Sequence, residues 1–273
     1  QKSLTFDGRN THFASLYQAN SEIGYEGEIV ALLGAILPNN GIFFDIGSNF
    51  GYFALSIAAR SGFTGKVHAF EPNEQAFSDL IHLTSQASLD KIVECHQLGL
   101  SNKDAEGRLR LDSTHSALSR ISADENGEII SLKKLDSLEL STPDLLKIDV
   151  EGYEIEVLEG ASETISQHQP AIIFENLRDT PLGKSFEPIF FLKNKGYQFF
   201  IPAWYMIDDW NWYFDSDPTA LSISEDRFRL GVIPYRHHLR FLIRDTLNVL
   251  AWHEDRLDEL NAIFDLTAGE KIS

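Results

Sequence analysis

An α/β fold with a mostly parallel sheet and helices on both faces is the architecture this sequence predicts. Three observations carry it. Short, largely apolar runs such as Ile42-Phe43-Phe44-Asp45-Ile46 suit strands buried on both faces, as parallel sheets require. Helix-length stretches alternate with those runs. Glycine-rich turn chemistry sits where a run passes into a helix. Right-handed crossovers then gather the C-terminal ends of the strands on one edge, where ligands bind.

Taken in order, the apolar positions Ile29, Val30, Leu32, Leu33, Ile36 and Leu37 predict a helix over Ser21–Leu37, stopped by Pro38. Asn39-Asn40-Gly41 is a turn, Ile42–Ile46 the first strand, and Tyr52 to about Arg60 the next helix. Lys66–Phe70 reads as a second strand, residues from about Asn73 to Ser88 as a helix, and Ile92–His96 as a third strand. Gly107–Leu111 and Ile129–Leu132 read as shorter, half-exposed strands around a polar loop. Leu145–Val150 is another buried strand, Ile155–Ile165 its helix, and Ala171–Glu175 a fifth main strand. In the tail, Tyr197–Ile201 and Leu247–Trp252 are strands on either side of a polar-aromatic insertion, and Asp255–Phe264 is a closing helix.

Composition narrows the function. Among 273 residues, 41 acidic side chains outnumber 23 basic ones, for a net charge of −18. That sign argues against a nucleic-acid partner or an anionic membrane surface, both of which need clustered Lys and Arg. A membrane is excluded a second way, because no apolar stretch approaches the ~20 residues a spanning helix needs. The first residues, Gln-Lys-Ser-Leu-Thr, are not a signal peptide. The single cysteine, Cys95, rules out an internal disulfide and fits a reducing, cytoplasmic setting. The only methionine is Met206, so the chain is either trimmed or part of a longer polypeptide. A single domain spanning residues 1–273 is expected, with a helical lead-in to about 40 and an aromatic-rich insertion at about 203–235.

The sharpest chemical signal is Asp45-Ile-Gly47-Ser-Asn49-Phe-Gly51 at a strand-to-helix junction. Glycine lets the backbone turn sharply and lets a ligand approach closely, and Asn49 tolerates a left-handed conformation. Glu71 ends the second strand, twenty residues after Gly51. An acid at that distance can accept both hydrogen bonds of a ribose diol, while a plain helix-capping role is the alternative. Loop and acid together point to an adenosine-type nucleoside. A dinucleotide diphosphate would be repelled by Asp45, whereas the ammonium of an amino acid would suit it. S-adenosylmethionine (SAM) has a ribose at one end and an α-amino acid at the other, which favours it over NAD.

At these residues the chain resembles the FkbM family of SAM-dependent methyltransferases. The resemblance rests on Tyr25-Glu26, Asp45–Phe53, Phe70-Glu71-Pro72, Leu135–Leu138, Asp144–Gly152 with its Lys-Ile-Asp-Val-Glu-Gly core, and Pro170–Glu175. It covers roughly residues 22–202 and is weaker at Asn248–Ala251. It implies the class I, Rossmann-like methyltransferase architecture, a seven-stranded sheet whose last strand is antiparallel. It also implies SAM contacts at Asp45, Gly47, Asn49, Gly51 and Glu71, with Tyr25 and Glu26 closing over the cofactor. Family members mostly methylate oxygen on sugars or secondary metabolites. A small-molecule or glycan acceptor follows, with N- or carboxyl methylation, a non-catalytic SAM-binding domain and an NAD-dependent oxidoreductase as competing readings.

Asp149, Glu151 and Glu175 end neighbouring strands on the expected ligand edge, which makes them candidates for holding the acceptor or taking its proton. Asp149 also counts among the cofactor contacts. Helix capping or a salt bridge would explain each acid as well. The trio could hold a divalent metal through oxygen, but no histidine joins it at ligand spacing, and a metal-free site is favoured. His115, in a polar loop, is a candidate general base. Trp204, Tyr205, Trp210 and Trp212, interleaved with Asp208, Asp209, Asp215 and Asp217, suit stacking on a sugar ring or, equally, a small satellite core.

Overall fold

The first strand forms where four of five successive side chains can be buried at once, and everything else is laid beside it. In the computed structural model, which describes residues 5, 25–110, 120–121, 127–176, 184–206, 212–213, 228–236 and 247–264, helix α1 (Gly27–Ile36) leads into β1 (Ile42–Ile46). Helix α2 (Tyr52–Ala58), β2 (Lys66–Phe70), α3 (Glu74–Ala87) and β3 (Val93–His96) follow. Asn73 caps α3 by accepting a 2.8 Å hydrogen bond from the Ala76 amide, and Ser88 ends it in a left-handed conformation.

Four short strands come next, β4 (Gly99–Leu100), β5 (Ala105–Arg110), β6 (Arg120–Ile121) and β7 (Glu128–Lys133), forming a separate sheet in the order β4-β7-β5-β6. Leu109, Ile130 and Leu132 make its small core. The chain returns through β8 (Leu145–Ile148), α4 (Glu154–Gly160), α5 (Ser162–His168), β9 (Ala171–Asn176), α6 (Glu187–Lys193) and β10 (Tyr197–Met206). Strands β11 (Trp212–Tyr213), β12 (Phe228–Pro234) and β13 (Leu247–His253) complete the main sheet, and α7 (Leu257–Ile263) follows.

The main sheet runs β11-β10-β13-β9-β8-β1-β2-β3, with β12 also pairing β10. Strands β3, β2, β1, β8 and β9 pair in parallel, while β13 is antiparallel to both β9 and β10. The expected seven-stranded arrangement with an antiparallel last strand is therefore present, and β11 and β12 extend its β10 edge. Helices cover both faces. One face packs Phe43, Val67 and Leu145 against α1 and α2, and the other packs Phe44, Ile148 and Phe174 against α4, α5 and α6.

Two expectations need correction. The helix expected over Ile155–Ile165 is broken at Ala161, where Gly160 lies so close to the Ser101 carbonyl that a Cβ would stand 1.8 Å from its oxygen. Strand β10 runs on to Met206, beyond the expected end at Ile201, because β12 from the insertion pairs with it in register.

Candidate functional site

Strand ends β1, β2 and β8 meet the β4–β7 sheet around a solvent-open cleft with about 900 Å³ of empty space. Its floor is the loop after β1. Gly47, Asn49 and Gly51 all adopt positive φ, at 79°, 50° and 90°. Gly47 has no room for a side chain, since a Cβ there would stand 1.8 Å from the Asp149 carbonyl oxygen. The loop is tied to β2 as well, because the Gly47 and Ser48 amides both donate to the Phe70 carbonyl at 3.0 Å.

Glu71 lines this cleft and each of its oxygens accepts a backbone amide, Oε2 from Asn49 and Oε1 from Asn73, both at 2.8 Å. The helix cap proper belongs to Asn73, so Glu71 works on the loop. Each carboxylate oxygen keeps a second lone pair for a ligand. Burial pushes the Glu71 pKa up to about 7, against the pull of the two amides.

Asp45 takes a different place. It is 1% exposed, lies beneath the loop and is not among the side chains lining the cleft. Its Oδ2 accepts from the Ala54 amide at 2.9 Å, which satisfies the first turn of α2 where the N-cap, Gly51, has no side chain to do so. Burial raises its pKa to about 6, while Lys147 and the Ala54 amide oppose that shift.

Lys147 is the residue sequence reasoning missed as part of the site. It is 2% exposed on β8, its ammonium donates to Asp149 Oδ2 at 2.8 Å, and it lies 4.1 Å from the centre of the Phe53 ring. Burial works against its charge, but Asp149, Glu26 and Asp45 outweigh it and hold its pKa above the ordinary lysine range. The signal was a lysine inside an apolar strand run, which is rarely buried without partners.

The other expected residues divide by position. Tyr25 lines the cleft, and burial together with Glu26, Asp149 and Glu175 holds its phenol above its usual range. Its ring meets Tyr52 edge-on at 5.5 Å, and the Tyr52 hydroxyl donates to the Tyr25 carbonyl. Glu26 adopts φ 41° at the start of α1 and accepts from Asn248 Nδ2 at 3.2 Å, which ties the lead-in to β13. Asp149 and Glu151 line the cleft, and their carboxylates converge with that of Glu175, each offering an oxygen within 4.8 Å of the others. The trio can therefore receive a proton or a cation at one point. Against it stand Phe70, Pro72, Leu98, Leu100 and Leu109, an apolar wall on the Glu71 side.

The aromatic candidates lie elsewhere. Trp204 and Tyr205 lie in the part of β10 that runs past β13 and pairs instead with β11 and β12, Trp204 facing Tyr213 and Leu230 and Tyr205 facing Trp212 and Arg229. Neither lines the cleft. Trp212 is described by its backbone alone, and His115 and Trp210 lie outside the described residues.

Among known proteins, the model of the methyltransferase FkbM domain matches residues 45–199. The hexuronic acid methyltransferase AglP of Haloferax volcanii is 27% identical over 150 residues, which is 51% of this chain and 58% of that relative. The chain thus spans less than two thirds of it. A solved methyltransferase FkbM from Methylobacillus flagellatus KT superposes with a TM-score of 0.48 at 16% identity, covering 78% of this chain and 44% of that one. The precorrin-6y C5,15-methyltransferase of Geobacter metallireducens GS-15 gives 0.46 at 13% identity, covering 85% and 91%.

Proposed function

The chain belongs to the FkbM methyltransferase family, and from that premise we propose that it transfers the methyl group of SAM to an oxygen of a carbohydrate or related small molecule. The observation that carries the cofactor half is the cleft itself. A buried acid with spare lone pairs, a loop with no room for a side chain at Gly47, and a carboxylate group opposite suit a ribose diol and two positive charges. Among these, Glu71 would take the ribose hydroxyls, and the apolar wall at Leu98, Leu100 and Leu109 would hold the adenine. Asp149 and Tyr25 would face the charged end, while Asp45 and Lys147 fix the backbone on which that end rests. Bound there, SAM supplies an electrophilic methyl on a sulfonium.

The chain's own task is to present an acceptor oxygen and remove its proton as the new bond forms. Asp149, Glu151 and Glu175 are the groups we assign to this, because their oxygens converge beside the cleft. Preorganised carboxylates there favour a hydroxyl that becomes more acidic in the transition state. The same negative field favours a neutral or cationic acceptor over a phosphorylated one. The sugar class of acceptor draws support from AglP, whose name gives a hexuronic acid as its substrate, an anionic sugar that this field would accept only with its carboxylate turned away from the trio.

Product mass analysis tests this reading. The full chain is incubated with methyl-labelled SAM and a panel of neutral hexosides and hexuronosides, and each product is then treated with mild base. A base-stable, singly labelled sugar is the expected result. Label lost to base would mean an ester at a carboxylate, label on nitrogen a different acceptor class, and either would displace the hydroxyl assignment.

A further inference from the structure

Outside the cleft, three metal-ligating side chains stand together on the outer strands of the sheet. His68 on β2 faces Glu94 on β3 in register, and Phe70 faces His96, so strand alternation sets both histidines and the acid on one face. The rings are brought tip to tip, with His68 Nδ1 3.0 Å from His96 Nε2. The Glu94 carboxylate straddles the pair, Oε2 lying 3.8 Å from His68 Nδ1 and Oε1 3.9 Å from His96 Nε2. Phe44 and Phe70 hold the rings in place, the first edge-on to His68 at 4.9 Å and the second stacked on His96 at 4.7 Å. None of the three ligating residues lines the cofactor cleft.

We propose that His68, Glu94 and His96 form a binding site for a zinc-type divalent cation, held by two imidazole nitrogens and one carboxylate. The distances fit such an ion. Ligand atoms about 2.1 Å from one zinc ion lie no more than about 4.2 Å apart. Here the two nitrogens are 3.0 Å apart with a carboxylate oxygen 3.8 or 3.9 Å from each, so a small turn of the exposed Glu94 carboxylate brings one oxygen to both. The chemistry selects the class, since two imidazoles favour late first-row metals over magnesium or calcium, which take oxygen throughout. Access is one-sided. The side chains of His68 and His96 are 6% and 16% exposed and that of Glu94 54%, so an ion would enter past the carboxylate and keep its remaining positions toward water. Lys66, whose charge acts on His68, is turned aside, with its ammonium donating to the Lys91 carbonyl at 3.0 Å. Because β3 is the terminal strand, such an ion would clamp the sheet's edge to β2, the strand that leads into Glu71. The proposal is independent of the methyl-transfer reading.

Competition for Zn²⁺ against a coloured chelator, on the full chain, reads the affinity directly. Glu94→Gln and His96→Gln are expected to weaken one zinc site at least tenfold, while Glu175→Gln in the acidic trio leaves it unchanged. In the wild type, Zn²⁺ at a hundred times the dissociation constant raises the melting temperature by about 5 °C, and that gain is lost in Glu94→Gln. Should His96→Gln fail to fold, zinc-induced shifts of two histidine ring signals in wild-type NMR spectra, absent in Glu94→Gln, report the same contact. No saturable zinc binding, or zinc bound equally well by both ligand variants, overturns the proposal.

Discussion

Glu71→Gln isolates the residue on which the cofactor assignment leans most. In the folded chain both oxygens of Glu71 accept backbone amides at 2.8 Å, from Asn49 and Asn73. Glutamine keeps one acceptor and turns an NH₂ group toward the other amide, leaving buried donors face to face at a cost of about 1–3 kcal/mol. It also removes the charge that would accept the ribose hydroxyls, each such charged hydrogen bond contributing about 1.5–3 kcal/mol. With the glutamine oxygen still accepting one hydroxyl, one such bond is lost, and the expected loss is about 10- to 100-fold at about 1.4 kcal/mol per factor of ten. The pH dependence gives a second signature. Burial raises the pKa of Glu71 to about 7, so the ionised fraction falls from roughly 10/11 at pH 8 to roughly 1/11 at pH 6. If the ligand needs the ionised form, apparent affinity drops about tenfold across that range. Calorimetry with S-adenosylhomocysteine, the demethylated product, at pH 6 and pH 8 measures both effects. The variant should bind weakly at both, leaving no more than the roughly twofold step that Asp45, with its pKa raised by burial to about 6, would add. Full affinity in Glu71→Gln, or an undiminished tenfold pH step, would refute the reasoning.

Further outcomes follow from neighbouring residues. Gly47→Ala forces a Cβ to within 1.8 Å of the Asp149 carbonyl at φ 79°, so nucleotide affinity should fall at least tenfold alongside a lowered melting temperature. Lys147→Met leaves Asp45 and Asp149 without their buried cation and should cost about 3 kcal/mol in urea unfolding, the low end for a broken buried pair because Asp149 reaches water. Glu154 is raised by burial to about pKa 7 from an ordinary 4.5, so the stability it contributes is full below about pH 4.5 and lost as pH rises through 7. Glu154→Gln should thus remove about 3 kcal/mol of the difference in unfolding free energy between pH 4.5 and pH 8. Of Glu151→Gln and Glu175→Gln, at least one should lower kcat about 100-fold while product affinity stays within threefold, and unchanged kcat in both would clear them of proton transfer.

What could be read from the sequence was local. Ile42–Ile46 and Lys66–Phe70 have the expected bounds because short apolar runs between turns have little freedom to be anything else. The convergence of Asp149, Glu151 and Glu175 followed from strand order alone, since parallel strands deliver their ends to one edge. What escaped depended on partners far along the chain. Helix α6 carries Pro188 in its first turn, a helix-start signal that went unread between two stronger strand runs. Strand β12 exists as the partner of β10, and no pattern within Phe228–Pro234 announces that pairing. Asp45 looked like a ligand contact because it enters the glycine loop, yet its carboxylate turns inward to the α2 amide. Lys147 hid inside a family motif, its role visible only once Asp45, Asp149 and Phe53 surrounded it.

Equilibrium dialysis of the full chain against labelled SAM, with unlabelled S-adenosylhomocysteine and NAD as competitors, tests the central claim most directly. One SAM should be retained per chain, displaced by S-adenosylhomocysteine and untouched by NAD. A chain that retains no SAM, or releases it to NAD, would contradict the reading of this cleft as a methyl donor's site.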